Sequence, residues 1–213
     1  MALPIAVGSV AFHLGPNAAQ EKSHEWTIFV RLANPDADPA HFISKVVFTL
    51  HPSFTQPTRV VTEPPFQVTE RGWGEFEVHM QVHLHDHDKH IDVAHLLKLY
   101  AEGEQVGQPN PDAEAAQHPV VSERYDEIVF KDPSEQLRTR LSNVSSEPSP
   151  NSWRQSSLAK WFSEFDTHKQ KVHLDSVFKS LVGELQNLSK RRLELESDLS
   201  RLKSGVKQGL APV

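Results

Sequence analysis

Cysteine is absent from the chain. That removes disulfides, thiolate-bound zinc and a thiol nucleophile from consideration, and it is compatible with a reducing compartment. Long apolar runs are missing too: no stretch approaches the roughly 20 residues that a membrane helix needs. The opening Met1-Ala2-Leu3-Pro4-Ile5 carries neither the basic start nor the apolar core of a secretory signal. A soluble, intracellular protein with no membrane partner is expected. There is also no surplus of positive charge. Lys and Arg number 22 against 28 Asp and Glu, a formal charge of −6, so a sequence-specific nucleic-acid surface built on clustered cations is not expected. A basic peptide suits such a chain better. The hydrophobic share of 38% is low for one uniformly packed globule, and 213 residues allow one good-sized domain with an appendage.

What is present is a series of period-two runs. Trp26, Ile28, Val30 and Leu32 alternate with Thr27, Phe29 and Arg31, predicting a half-buried strand. Val46, Phe48 and Leu50 alternate with Val47, Thr49 and His51. Phe76, Val78, Met80, Val82 and Leu84 alternate with Glu77, His79, Gln81, His83 and His85, the cleanest pattern in the chain. A first strand is expected over Ile5 to Leu14, a short edge strand at Val60-Val61 and a further strand over Tyr125 to Phe130. Ile91 to Tyr100 fits strand or helix by pattern alone. Ala101 to Pro119 reads as a long loop, and Asp132-Pro133-Ser134 introduces a short helix over Glu135 to Leu141. The 15 prolines favour loops and strand edges over long helices in this region.

Two loops carry the functional signal, His51-Pro52-Ser53-Phe54 and Gly72-Trp73-Gly74-Glu75-Phe76. Pro52 lacks a ladder donor and stops the preceding strand. His51, Ser53 and Phe54 then lie at a loop tip, where rigid sheets usually carry binding residues. Glycines on both sides of Trp73 allow backbone angles that bring the main chain close to a ligand while the indole projects outward. Two readings stand from the residues alone: a binding site where the loops meet, or Phe54 and Trp73 as core plugs beside ordinary turn glycines.

HEWTIFVR (24–31), KVVFTLHPSF (45–54), EPPFQVTERGWGEF (63–76) and YDEIVFKDP (125–133) together resemble the YEATS family, in the variety seen in glioma-amplified and yeast Yaf-like chromatin subunits. The resemblance implies an all-β immunoglobulin-like sandwich over residues 3–141, a linker over 142–165 and a C-terminal α-helical coiled coil over 166–207. It settles Ile91 to Tyr100 as strand. The loops would read acylated lysine on histone tails: Phe54 and Trp73 as walls, the Ser53 hydroxyl accepting from the amide N–H, the Trp73 backbone N–H donating to the acyl oxygen, and His51 orienting the serine. Phe76, Gly72 and Gly74 would shape a pocket open at its far end, admitting longer planar acyl groups such as crotonyl. Lys22 and His95 depart from the family's usual rim residues, and Glu75 is the one nearby carboxylate in the loops. All three are assigned weakly to the peptide rim.

Beyond the NVSSEPSPNS stretch the period changes. Leu174, Phe178, Leu181, Leu185, Leu188, Arg192, Leu195, Leu199 and Leu202 follow the alternating four-and-three spacing of a heptad seam, with Arg192 a polar interruption. A long amphipathic helix packing back on the sandwich is the other reading. Trp153, Trp161, Phe162 and Phe165 either extend this helix or form a docking patch. Through the coil the resemblance implies subunits of a histone-variant-exchange remodeller and of a histone acetyltransferase complex as partners, in the nucleus. The rival reading is a structural adaptor that keeps the fold without the pocket. The 13 histidines include His79, His83 and His85 on one strand face and His87, His90 and His95 nearby in sequence. Solvated surface is the commoner fate of such a row, so no metal and no cofactor are expected. His51 and Ser53 invite a nucleophile-and-base account, but no orienting acid or oxyanion element can be named, and an enzyme is not expected. A fragment ending at residue 150 is expected to stay folded.

Overall fold

Strand alternation resolves into two antiparallel sheets in the computed structural model, which describes residues 1–15, 17–101, 118–143, 149–165 and 167–208. The strands are β1 (Ala2–His13), β2 (His24–Leu32), β3 (Ile43–Thr49), β4 (Thr58–Val61), β5 (Gln67–Gly72), β6 (Glu77–Leu84), β7 (Ile91–Leu96) and β8 (Val120–Val129). Among the described residues they form one four-stranded sheet in the order β5-β2-β1-β8 and a second in the order β4-β3-β6-β7. Register follows the apolar pattern: Val46 lies opposite Val82 and Phe48 opposite Met80, so both strands present their apolar residues to the same face. Val46, Phe48, Val78, Met80 and Val82 are essentially inaccessible, as are Ile5, Val7, Trp26 and Ile28 of the facing sheet. Each large side chain so buried contributes up to about 1.5–3 kcal/mol, which is what holds the two layers together.

β2 differs from the half-buried strand expected of it. Phe29 and Arg31, on the face away from the core, are only 2% and 5% exposed. The cause is the stretch 149–165, which crosses that face and corrects the linker expected over 142–165. Phe29 meets Phe162 with ring centroids 4.6 Å apart, and Phe12 meets Trp161 at 6.3 Å. The Arg31 guanidinium lies 4.5 Å from the Trp153 ring, 5.1 Å from Phe162 and 5.5 Å from Phe165. It also donates to Glu123 Oε1 at 2.6 Å and to the Ser163 carbonyl at 2.6 Å, while Ser163 N–H donates to Glu123 Oε2 at 2.7 Å. The Ser and Pro content of 142–152 resembles a linker, but the Trp and Phe that follow supply the apolar area and the stacking faces that pin the segment down. Of the expected linker, 144–148 lies outside the described residues. The compact unit runs from Met1 to Phe165.

Helix α1 (Glu135–Ser142) starts where the sequence places it. The Ser134 hydroxyl accepts from Leu137 N–H at 3.2 Å, an N-cap, and Leu137 is buried beneath. The long loop expected from Ala101 falls outside the described residues over 102–117.

The second unit, Asp166–Val213, contains α2 (Thr167–Gln208), a helix of 42 residues. The expected seam residues Leu174, Phe178, Leu181, Leu185, Leu188, Leu195, Leu199 and Leu202 are each more than half exposed. Arg192 reaches Glu196 one turn on, 3.5 Å away. No described helix is long and apolar enough to cross a membrane.

Candidate functional site

The two loops singled out in the sequence meet at one end of the sandwich. After β3 the chain is closed by Leu50 N–H donating to the Pro57 carbonyl at 2.8 Å, and within it Phe54 N–H donates to the His51 carbonyl at 3.1 Å. That turn lifts Ser53 to the surface and drops Phe54 inward. Phe54 is half-buried and stands edge-on to Trp26, centroids 5.7 Å apart, and tilted against Phe76 at 5.8 Å. Phe76 packs in turn on Trp26 at 5.8 Å and on His51 at 5.9 Å. The fully buried Trp26 is therefore the floor on which both loops rest.

Serine and histidine fix one another's roles. His51 Nδ1 lies 2.9 Å from Ser53 Oγ and also accepts from the Ser53 backbone N–H at 3.3 Å. A backbone N–H can only donate, so with Nδ1 accepting it the 2.9 Å contact is completed by the hydroxyl proton pointing to the same nitrogen. The oxygen lone pairs of Ser53 are left for an outside donor.

The second loop leaves β5 at Gly72, which is paired with His24 of β2. A Cβ on Gly72 would come 3.3 Å from Trp26 Nε1 and 3.7 Å from Phe54 Cζ, while one on Gly74 would meet nothing. Neither glycine lies in the left-handed region, so the backbone freedom expected of them is not their use. Gly72 matters because a side chain there would crowd Trp26 and rest against the Phe54 ring. Trp73 is 56% exposed, its indole standing out from the surface. Its carbonyl accepts from Tyr100 Oη–H at 2.9 Å.

Of the three rim assignments, two are corrected. Glu75 faces inward onto the strand extension after β7: Oε1 accepts from the Leu99 and Tyr100 N–H groups at 2.9 and 3.2 Å, and Oε2 faces Lys98 Nζ at 3.2 Å. Burial alone would raise its pKa, but these three donors outweigh it and hold the carboxyl below its ordinary value. His95 is no surface residue. It is 5% exposed, sits between the sheets and shares a 3.2 Å hydrogen bond with Ser9 Oγ of β1. Burial, reinforced by the charge of Arg124, pushes its pKa down to about 4, so the ring is neutral at pH 7. The pattern at 91–100 does not set a face by itself: β7 turns its odd-numbered residues inward, and a histidine there then needs a polar partner. Lys22 is exposed in the turn just before β2, at the end of the sheet where Gly72 lies.

Sequence reasoning overlooked Tyr100 and His24. Tyr100 reads as the last residue of an apolar run, and nothing in the pattern signals that its hydroxyl reaches Trp73. His24 is 4% exposed, with Nδ1 3.0 Å from Ser23 Oγ and its ring 5.0 Å from that of Tyr100. Among the described residues no group of three or more His, Asp or Glu is arranged to hold a metal ion. A cavity of about 200 Å³ lies away from both loops, lined by Leu32, Pro65, Phe66, Trp153 and Phe162 where the 149–165 segment crosses β2.

Residues 21–101 match the model of the YEATS family. The AF-9 homologue of Eremothecium gossypii is 40% identical over 147 residues, 66% of this chain and 68% of that protein. The chain belongs to the YEATS family. Transcription initiation factor TFIID subunit 14b of Arabidopsis thaliana is 47% identical over 145 residues, 67% of this chain, and the AF-9 homologue of Kluyveromyces lactis is 38% identical over 144. The matched stretch spans 52% and 65% of those two proteins respectively. Among solved structures, the Yaf9 YEATS domain bound to H3K27ac is 36% identical, with a TM-score of 0.55 over 67% of this chain and 93% of that one. The Yaf9 YEATS domain recognising an H3K122suc peptide is 35% identical, with a TM-score of 0.54 over 67% and 92%. The sandwich of this YEATS domain is that of its solved relatives.

Proposed function

We propose that this YEATS domain reads acylated lysine on a basic, histone-type tail. The observation that carries the reading is the His51–Ser53 pair, because it leaves a hydroxyl oxygen with lone pairs outward beside an aromatic ring at a loop tip. An acyl-lysine amide is flat and neutral. It needs aromatic faces on its plane, an acceptor for its N–H and a donor for its carbonyl. Ser53 Oγ is the acceptor, the Trp73 backbone N–H the donor, and Phe54 and Trp73 the walls, with Phe76 behind Phe54 and open space at Gly74 for a longer planar acyl chain such as crotonyl. An unmodified ammonium would lose hydration there and find too few acceptors. Support comes from the related Yaf9 YEATS domains, whose structures hold H3K27ac and recognise an H3K122suc peptide. A YEATS sandwich that only assembles complexes is the rival. In fluorescence or calorimetric titrations, wild type should bind an acetylated histone-tail peptide on the order of tenfold or more tighter than the unmodified one, and Trp73→Ala and Ser53→Ala should each erase most of that gap. Equal binding of the two peptides by wild type favours the adaptor.

α2 supplies the tether. Its exposed apolar seam over four heptads, interrupted by Arg192, suits pairing with another helix. The partner class is a subunit of a histone-variant-exchange remodeller or a histone acetyltransferase complex, and the site of action is the nucleus, in keeping with relatives named as TFIID and AF-9 proteins. Exchanging Leu185, Leu188 and Leu195 together for Lys should leave peptide binding unchanged and stop the chain co-purifying with its complex. Retention of the complex by that variant removes the seam from assembly.

A further inference from the structure

We propose that Tyr100 and Glu75 are positioning residues that hold the Trp73 loop in its binding-ready form, an inference that rests on the acyl-lysine reading above. Trp73 lies in a loop with glycine on both sides, and its indole is more than half exposed. Such a loop costs about 1–2 kcal/mol per residue to order, and a wall that must be ordered on each encounter weakens the ligands that stack on it. The structure has already ordered it. Glu75, two residues after Trp73, grips the backbone N–H groups of Leu99 and Tyr100 with a single carboxylate oxygen, Oε1. Tyr100 then returns its phenol proton to the Trp73 carbonyl at 2.9 Å. The Tyr100 ring is itself held edge-on by buried His24, 5.0 Å away, and His24 is the strand partner of Gly72, the residue before Trp73.

These links close a circuit. One side of Trp73 is fixed by the β2–β5 ladder, and the other by a carbonyl tied to a tyrosine that Glu75 and His24 hold in place. With both flanking peptide planes constrained, the direction of the Trp73 N–H is set before the acyl oxygen arrives. Lys98, at 3.2 Å from Glu75 Oε2, is a lesser member because its side chain is 44% exposed and the pair is screened. Neither Tyr100 nor Glu75 touches the ligand. They act through Trp73, and this accounts for a carboxylate in the loop that is turned away from the peptide.

The full chain and its Tyr100→Phe, Glu75→Gln and Glu75→Ala variants are titrated with acetylated and unmodified histone-tail peptides, and the free proteins are compared by NMR relaxation dispersion. Tyr100→Phe keeps the ring and removes one hydroxyl. It should weaken the acetylated peptide by about threefold to tenfold, leave the unmodified peptide unchanged, and bring microsecond-to-millisecond exchange to residues 72–76 alone. Glu75→Gln keeps an amide oxygen at the Oε1 position and should stay within about twofold of wild type, whereas Glu75→Ala should match or exceed the loss of Tyr100→Phe. Wild-type affinity with a quiet loop in Tyr100→Phe overturns the clamp while leaving the reader intact. If wild type does not separate the two peptides, the reader reading fails, and the dispersion comparison decides the clamp by itself: no exchange at 72–76 overturns it.

Discussion

Replacing Arg31 with Ala is expected to lower the unfolding free energy by about 3–5 kcal/mol. With typical domain stabilities of roughly 5–15 kcal/mol, that is a large part of the whole. The Arg31 and Glu123 side chains are 5% and 1% exposed, so removing the cation strands a carboxylate beneath the 149–165 segment with one backbone donor left to it. Desolvation holds the Arg31 pKa below its usual value even though the Glu123 charge and hydrogen bond raise it, a sign of how dry the site is. The same substitution takes away the cation over which Trp153, Phe162 and Phe165 are stacked. Joint replacement, Arg31→Met with Glu123→Gln, should cost much less because no bare charge remains. Urea unfolding reads the difference directly: the single variant should move the midpoint down by one to a few molar at about 1–3 kcal/mol/M, with m unchanged. Ending the chain at residue 148 should destabilise the sandwich comparably, while ending it at 165 should not. Equal midpoints for the two truncations would falsify the claim that 149–165 belongs to the domain.

That boundary shows what a sequence withholds. Strand alternation at 26–32, 46–51 and 76–84 placed three core strands and their inward faces, because a residue's side is fixed by parity once one face is buried. It could not show that β2 is covered on its outer face as well. Phe29 and Arg31 occupy the polar parity of an amphipathic strand, and the rings that cover them lie more than a hundred residues away in the chain. The site was legible in a similar measure. His51, Ser53, Phe54 and Gly72 converge as expected, since loop tips on adjacent strand ends must lie close together. Glu75 reads as rim because it is the carboxylate in the loops, and His95 because the family resemblance sets it at a rim position, yet one serves as a backbone acceptor and the other as a polar link between sheets. Side-chain direction after a strand end depends on where the next strand runs, and local sequence carries no record of that.

Gly72→Val should cost binding more than it costs stability. The glycine ends β5 with an ordinary backbone angle, so a β-branched residue suits the strand and brings no conformational strain. Space is the difficulty. A Cβ there would press within 3.3 Å of Trp26 Nε1, and Trp26 cannot retreat because it is fully buried and carries both Phe54 and Phe76. Phe54 Cζ, 3.7 Å from the same point, belongs to a half-buried ring that can move. A single methyl in Gly72→Ala only touches that ring and is tight against Trp26 alone, but the two further methyls of valine must push the ring toward the space assigned to the amide plane. Acyl-peptide affinity should therefore fall by about two- to threefold for Ala and on the order of tenfold or more for Val, with the melting temperature lowered slightly by Ala and further by Val because Trp26 does not yield. Adding Phe54→Leu to Gly72→Val makes room for the methyls without restoring the aromatic wall, so it should relieve any residual strain and leave binding lost. A folded Gly72→Val that binds as wild type would mean that Phe54 is packing for Trp26 and that the acyl group, if it binds at all, lies elsewhere.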